Sequence, residues 1–200
     1  NDNNFAIEDF KNSVSVNGTL NKFNYLASFG NQYTNGLSAI ASGNESDAFN
    51  SINGNLKLGY QFSESFKINA YSSFDKYKAD FDDGFMFADA DNVAITNQYR
   101  IGVSPSFAYK KGSMTVNSAF NNIEREIQSG FPAKFNAESW VVDAYNKYNF
   151  NDKFYTVLGL SYQDNNMESF AIPYGSTSFT QSINSETAKN TKKFLQGYIL

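Results

Sequence analysis

Apolar and polar residues alternate at spacing two along most of the chain, and no stretch sustains the spacing of three to four that marks a helix. In FNYLASF, Phe23, Tyr25, Ala27 and Phe29 fall on one side, with Asn24 and Ser28 on the other. INGNLKLGYQF sets Ile52, Leu56, Leu58, Tyr60 and Phe62 against Asn53, Asn55, Lys57, Gly59 and Gln61. The same alternation returns in YRIGVSPSFAY, MTVNSAF, WVVDAYNKYNF and FYTVLGLSY. It predicts about nine strands, the first starting near Asn12 and the last being the terminal KKFLQGYIL.

The predicted connections alternate in length. Short turns fall near 21–22, 63–65, 110–112 and 151–152, and long polar connections near 41–50, 80–96, 129–137 and 164–190. This pattern describes an all-β antiparallel meander, trimmed at one end and elaborated at the other. A propeller blade would need four strands in the roughly 40 residues that hold two here. The strands run to roughly 10–16 residues, beyond the usual five or six, and a tilted strand crosses a bilayer in about 9–11. Aromatics flank the short turns on the apolar side: Phe62 and Phe66, Phe107 and Tyr109, Phe150 and Phe154. An interfacial girdle is built this way, and the opposite face of Asn, Ser, Gly and Gln suits a wet lumen. A soluble sandwich tolerates the same alternation, but strand length, girdle and loop asymmetry together favour a transmembrane antiparallel β-barrel. Single-chain bacterial barrels have even strand numbers. The nine strands therefore belong to a larger barrel, or one terminal segment is not a strand and an eight-stranded barrel closes on itself.

Composition narrows the chemistry. Phe and Tyr supply 20 and 13 residues against one Trp and three Pro, which favours strands and turns. Cys and His are both absent, which removes Ser-His and Cys-His catalysis, disulfides and ordinary zinc sites, so an enzyme is not expected. The net charge of −4, with no Lys/Arg cluster among the aromatics, excludes a nucleic-acid reading. No apolar run approaches the roughly 18 residues of a membrane helix, and the opening NDNNF lacks the pattern of a signal peptide. Haem and nucleotide cofactors have no motif here.

One stretch collects charge. ADFDDGFMFADADN, residues 79–92, holds five Asp and no cation around Phe85, Met86 and Phe87. Asp80 and Asp82 share a face, as do Asp89 and Asp91. If the hairpin turns near GFMF, the two pairs oppose each other across strands about 4.8 Å apart. Four carboxylates at that separation repel unless they are protonated or bridged, and a hard cation such as calcium bridges them at about 2.3–2.6 Å. The spacing is not that of an EF-hand, and a solvated acidic loop is the alternative. GNESDAFN upstream adds Glu45 and Asp47 at spacing two, at the same predicted end of the sheet.

The order of elements resembles a known family. GNESDAFNSINGNLKLGYQFSESFKINAYSSFDKYKADFD, then ADADN and NQYRIGVSPSF, is similar to the early barrel of TonB-dependent outer-membrane receptors, closest to the cobalamin (vitamin B12) type. The resemblance spans roughly residues 20–165. It implies calcium-ordered extracellular loops, with Glu45 and Asp47 matching the first loop's acids, Asp80 or Asp82 the outgoing strand, and Asp89 or Asp91 the return. It also implies a 22-stranded barrel, with a plug and its energy-coupling segment outside this chain. Glu45 stands where the family often has Asp, Ala48 where it tends to have Gly, and the chain stops at YIL without the usual aromatic-ended closing strand. The implied function is active import of a scarce nutrient, a corrinoid first among candidates, across the outer membrane of a Gram-negative bacterium. Phe85, Phe87, Phe131, Phe170 and Tyr174 are the loop aromatics available to stack on a large ring. The implied partners are outer-membrane lipid, a TonB-type energy-coupling protein and the nutrient itself, with a surface lipoprotein left open. The competing reading is a small closed barrel with a structural or adhesive role.

Overall fold

A computed structural model describes residues 9–37, 46–83, 86 and 88–182, together with the backbone of 189–199. Strands β1 (Asp9–Leu20), β2 (Phe23–Thr34), β3 (Phe49–Ser63), β4 (Phe66–Asp83), β5 (Ala88–Tyr109), β6 (Gly112–Gln128), β7 (Ala133–Asn151) and β8 (Phe154–Ala171) each pair antiparallel with the next. The short β9 (Thr180–Gln181) and β10 (Lys189–Ile199) both pair with β8 and together make a ninth position. The result is the expected all-β meander, in one sheet.

The four short connections are two-residue turns at 21–22, 64–65, 110–111 and 152–153. Asn21 takes a left-handed φ of 53°, a conformation that Asn tolerates better than most residues. At the last turn the Asn151 side chain accepts from the backbone N–H groups of Lys153 and Phe154, both at 2.9 Å, which fixes the reversal without glycine.

The other end departs from expectation. Much of the segments expected as connections at 80–96, 129–137 and 164–190 is paired strand: β4 runs to Asp83, β5 starts at Ala88, β7 starts at Ala133 and β8 runs to Ala171. Side-chain alternation fades there, but the backbone still has to satisfy its N–H and C=O groups, and the ladder does so whatever the side chains are.

The register gives the sheet a constant stagger. Ser28, Asn55, Ser73, Arg100, Asn121, Ser139 and Asn165 lie side by side across β2–β8. Counted along the strands from that line, the four short turns lie five (Phe23), seven (Phe66), nine (Gly112) and eleven (Phe154) residues away. The turns therefore retreat by two residues per hairpin, or one per strand. A shift of about 3.3 Å per 4.8 Å strand spacing inclines the strands by roughly 35° to the line of turns.

No second layer covers this sheet among the described residues. Among the described residues the buried side chains of any size are Ala94, Thr96 and Asn122, and only Ala94 is apolar. A soluble domain of this length buries roughly 70% of its unfolded surface. Here Trp140 is 52% exposed and Leu160 60%.

Candidate functional site

The two faces of the sheet differ in kind. On one face Ile68, Ala70 and Ser72 of β4 stand beside Pro105, Val103 and Ile101 of β5, and Thr156, Leu158 and Leu160 of β8 continue the patch. Aromatic rims bound it. Phe66 and Phe74 on β4, Phe107 and Tyr99 on β5, Tyr148 and Trp140 on β7, and Phe154 and Tyr162 on β8 are each eight residues apart. Ring contacts join several of these aromatics across neighbouring strands. Phe120 and Trp140 lie 4.8 Å apart between ring centroids and Tyr99 and Phe120 5.8 Å, while Phe62 and Phe66, and Phe150 and Phe154, meet around the turns at 5.5 and 5.2 Å. Relative to the line through Arg100, Phe74 and Tyr99 lie one residue on the far side from the short turns, Phe120 and Trp140 one on the near side, and Tyr162 three on the near side. The upper rim therefore slants with the turns, and the band keeps its height. Eight residues span about 26 Å along a strand, or about 22 Å once the tilt is removed.

Past the upper rim the same face becomes charged. Lys76, Lys78 and Asp80 follow Phe74 on β4, Glu124 and Glu126 follow Phe120 on β6, and Glu138 and Lys134 lie beyond Trp140 on β7. Lys134 Nζ lies 2.8 Å from Glu126 and 4.5 Å from the Phe179 ring, tying the segment after β8 to the β6–β7 hairpin. Donation by Lys134, and by the Gln128 amide at 3.0 Å, holds the Glu126 carboxyl below the usual carboxylate range. A depressed folded pKa means that the pair stabilises the hairpin fully above the unfolded value of about 4.3 and loses that contribution as pH falls through the lower folded value. With both side chains partly exposed, it is worth under about 1 kcal/mol. Urea unfolding of wild type and Glu126→Gln should differ at pH 6 and converge toward pH 3; a difference that persists at pH 3 would show that the ion pair is not its source.

The opposite face is built of amides and hydroxyls. Asn55 donates to Ser28 Oγ at 3.4 Å, Arg100 Nε to Asn121 Oδ1 at 2.5 Å and Ser139 to Asn165 Oδ1 at 2.7 Å, so three neighbouring pairs on the cross-strand line are hydrogen-bonded. A row nearer the turns joins Ser104 to Asn117. Gly102 carries no side chain because Tyr71 lies across it: a Cβ there would sit 2.4 Å from the ring.

The acids singled out from the sequence are only partly brought together. The backbone N–H of Asp80 donates to Ala48 O at 2.9 Å, so the segment holding Asp47 does lie against β4. Asp80 itself pairs with Lys78 at 3.1 Å and stands opposite Val93, with no acid across from it. The apolar alternation of β5 fixes that register, and a shift between Phe81 and Asp83 absorbs the acidic return strand. There Asp82 Oδ1 accepts from Ala90 N at 3.3 Å, between Asp89 and Asp91, and Asp83 Oδ1 accepts from Met86 N at 3.1 Å. Carboxylate oxygens suit a hard cation, but among the described residues no group of three is placed to hold one. The expected opposition of two Asp pairs is thus replaced by one acid against a bulged return. Glu45, Phe85 and Phe87 lie outside the described residues. Phe131 is exposed at the β6–β7 tip and Tyr174 in the turn after β8, whereas Phe170 is a strand residue paired with Lys134.

No protein-family model matches the chain, and no curated protein matches it.

Proposed function

We propose that this chain forms part of the wall of a β-barrel in the outer membrane of a Gram-negative bacterium, and that the barrel is a nutrient receptor of the TonB-dependent class, cobalamin type. The observation that carries the membrane reading is the uncovered apolar band, rimmed by aromatics at a constant eight-residue separation and free of charge between its rims. A band about 22 Å high on strands inclined about 35° is close to what a lipid-facing wall requires. The short turns then face the periplasm, and the extended strand ends stand outside the cell.

Strand direction bears on closure. β1 and β10 both run toward the short turns, so pairing them directly would be parallel. Antiparallel closure takes an odd number of further strands, and a barrel of about 22 supplies thirteen beyond the nine here. The amide face then lines the lumen, where a plug and the cargo would contact it. The receptor class rests on the acidic loop order shared with that family, and a TonB-type partner and a corrinoid cargo follow from the class.

Trp140 is the one Trp of the chain and stands on the upper rim, so it reports the test directly. After reconstitution into vesicles, lipids brominated near the headgroup should quench it more strongly than lipids brominated at the chain ends. An emission unaffected by either removes the membrane reading. Calorimetry of the parent receptor with cyanocobalamin, with and without calcium, tests the cargo: saturable binding that tightens with calcium supports the cobalamin type. Vesicle insertion without corrinoid binding leaves a barrel wall serving another cargo.

A further inference from the structure

We propose that the amide face carries a binding site for a small organic anion with an apolar body, its acid group on Arg100 and its body over Ile123, Ala137 and Met167. The inference rests on the barrel reading only in that the stretch of this face level with and past the upper rim, where Arg100, Ile123, Ala137 and Met167 lie, must meet water rather than a plug.

Three observations converge. Arg100 is exposed, its Nε is committed to Asn121 Oδ1 at 2.5 Å, and among the described residues no carboxylate forms an ion pair with it. That single bond sets the guanidinium plane and leaves its outer N–H groups as a fork that matches a carboxylate. Beside it, sharing Asn121, lies a hollow of about 280 Å³. The hollow exists because β7 offers only Ala137 and Ser139 there, between Ile123 on β6 and Met167 on β8. Its floor is apolar and its edge is amide, the ordinary chemistry of a small-molecule site; Glu138 also borders it, but by strand alternation its side chain belongs to the opposite face of β7. The third observation is charge. Between β3 and β8, short of the acidic hairpin tip, this face carries Lys57, Lys67, Arg100, Arg125 and Lys147. The acids on it there are Asp75 and Asp143. The chain as a whole is net −4, so its acids have been sorted to the other face and to the strand ends, and this face draws anions.

A lone exposed guanidinium holds inorganic anions weakly against salt. A ligand that also buries a carbon skeleton in the hollow adds apolar contact to the charge, which commits the site to an amphipathic organic acid. A neutral polyol would use the amides but have no need of Arg100, and the same experiment separates the two.

The parent protein that carries this chain, in dodecyl maltoside micelles, is titrated with 4-(trifluoromethyl)benzoate and, separately, with the matching benzamide, each followed by fluorine NMR. The benzoate should bind about tenfold more tightly than the amide, as a charge-assisted hydrogen bond implies. Arg100→Gln should abolish that preference and leave amide binding unchanged, and Arg100→Lys should restore part of it. Ala137→Leu, which fills the hollow, should weaken both probes. Equal affinity for the two probes in wild type, a preference that survives Arg100→Gln, or no saturable binding would each overturn the proposal. Trp140 quenching on the same protein in vesicles keeps the two readings apart. Carboxylate preference without lipid quenching leaves the anion site and removes the barrel wall; quenching without preference removes the anion site alone.

Discussion

Replacing Val103 by Lys is expected to destabilise the vesicle-inserted protein by about 2–4 kcal/mol, the cost of a cation near the middle of a lipid-facing band. Val103 stands midway between Phe107 and Tyr99 on the apolar face, 42% exposed, with Ala70 and Ser118 as its lateral neighbours. Neither neighbour can pair with an ammonium, and the nearest charge on this face lies past the rim. A Lys in the middle of the band has to drag water in or bend its stem about 11 Å to an interface, and its reach is shorter than that. Two companion substitutions define the cause. Asn97→Lys puts the same charge on the same strand and face but beyond Tyr99, and Ser104→Lys puts it one residue away on the amide face. Both should cost under about 1 kcal/mol, because each head group meets water. Urea unfolding of the three variants in vesicles decides the matter. If Val103→Lys is no less stable than Asn97→Lys, lipid does not cover the band.

Much of this architecture could be read from the sequence, for a specific reason. Where one face of a sheet is apolar and the other polar, every second residue is constrained, and Ile52 to Phe62 or Phe154 to Tyr162 announce a strand without any partner in view. Two-residue turns cap those runs cleanly. The strand ends beyond the rims were hidden, because Lys76 to Asp83 and Ala133 to Ala137 keep no alternation, although their backbones pair as well as any. The acidic hairpin was half legible. Its aspartates could be counted, but their register depends on Val93, Ile95 and the residues after them, which pull Asp80 out of opposition to Asp89 and Asp91. The one-residue stagger belongs to no single strand and emerges only when four turns are compared. Arg100 and Met167 gave no signal either: they lie far apart in sequence and adjoin one hollow only through the pairing of β5 to β8.

Gly112 provides the second large effect, and it concerns how that stagger is held. It opens β6 directly after the Lys110–Lys111 turn, opposite Tyr148, and a Cβ on it would fall 1.9 Å from the backbone oxygen of Lys147 and 2.7 Å from the Tyr109 hydroxyl. The first of these is main chain and cannot swing aside. Tyr109 lies over the glycine and donates to Asn146 Oδ1 at 2.7 Å and Lys147 O at 3.1 Å, while Asn149 N donates to Lys111 O at 2.7 Å. A single missing side chain thus lets three strands meet at the level of the lower rim. Gly112→Ala must push β6 from β7 or expel the tyrosine, and either loses the hydrogen bonds at this rim. The expected loss is about 2–3 kcal/mol, the upper part of the range for overpacking. Gly130→Ala is the matched control: it stands at the β6–β7 tip with nothing within 4 Å of its would-be Cβ, and should be neutral. If Gly112→Ala unfolds at the same urea concentration as Gly130→Ala, the close approach at this turn does not hold the stagger. If the loss appears together with slippage of the β6–β7 pairing, seen as altered cross-strand contacts by NMR, the glycine sets the register as well as the stability of the sheet.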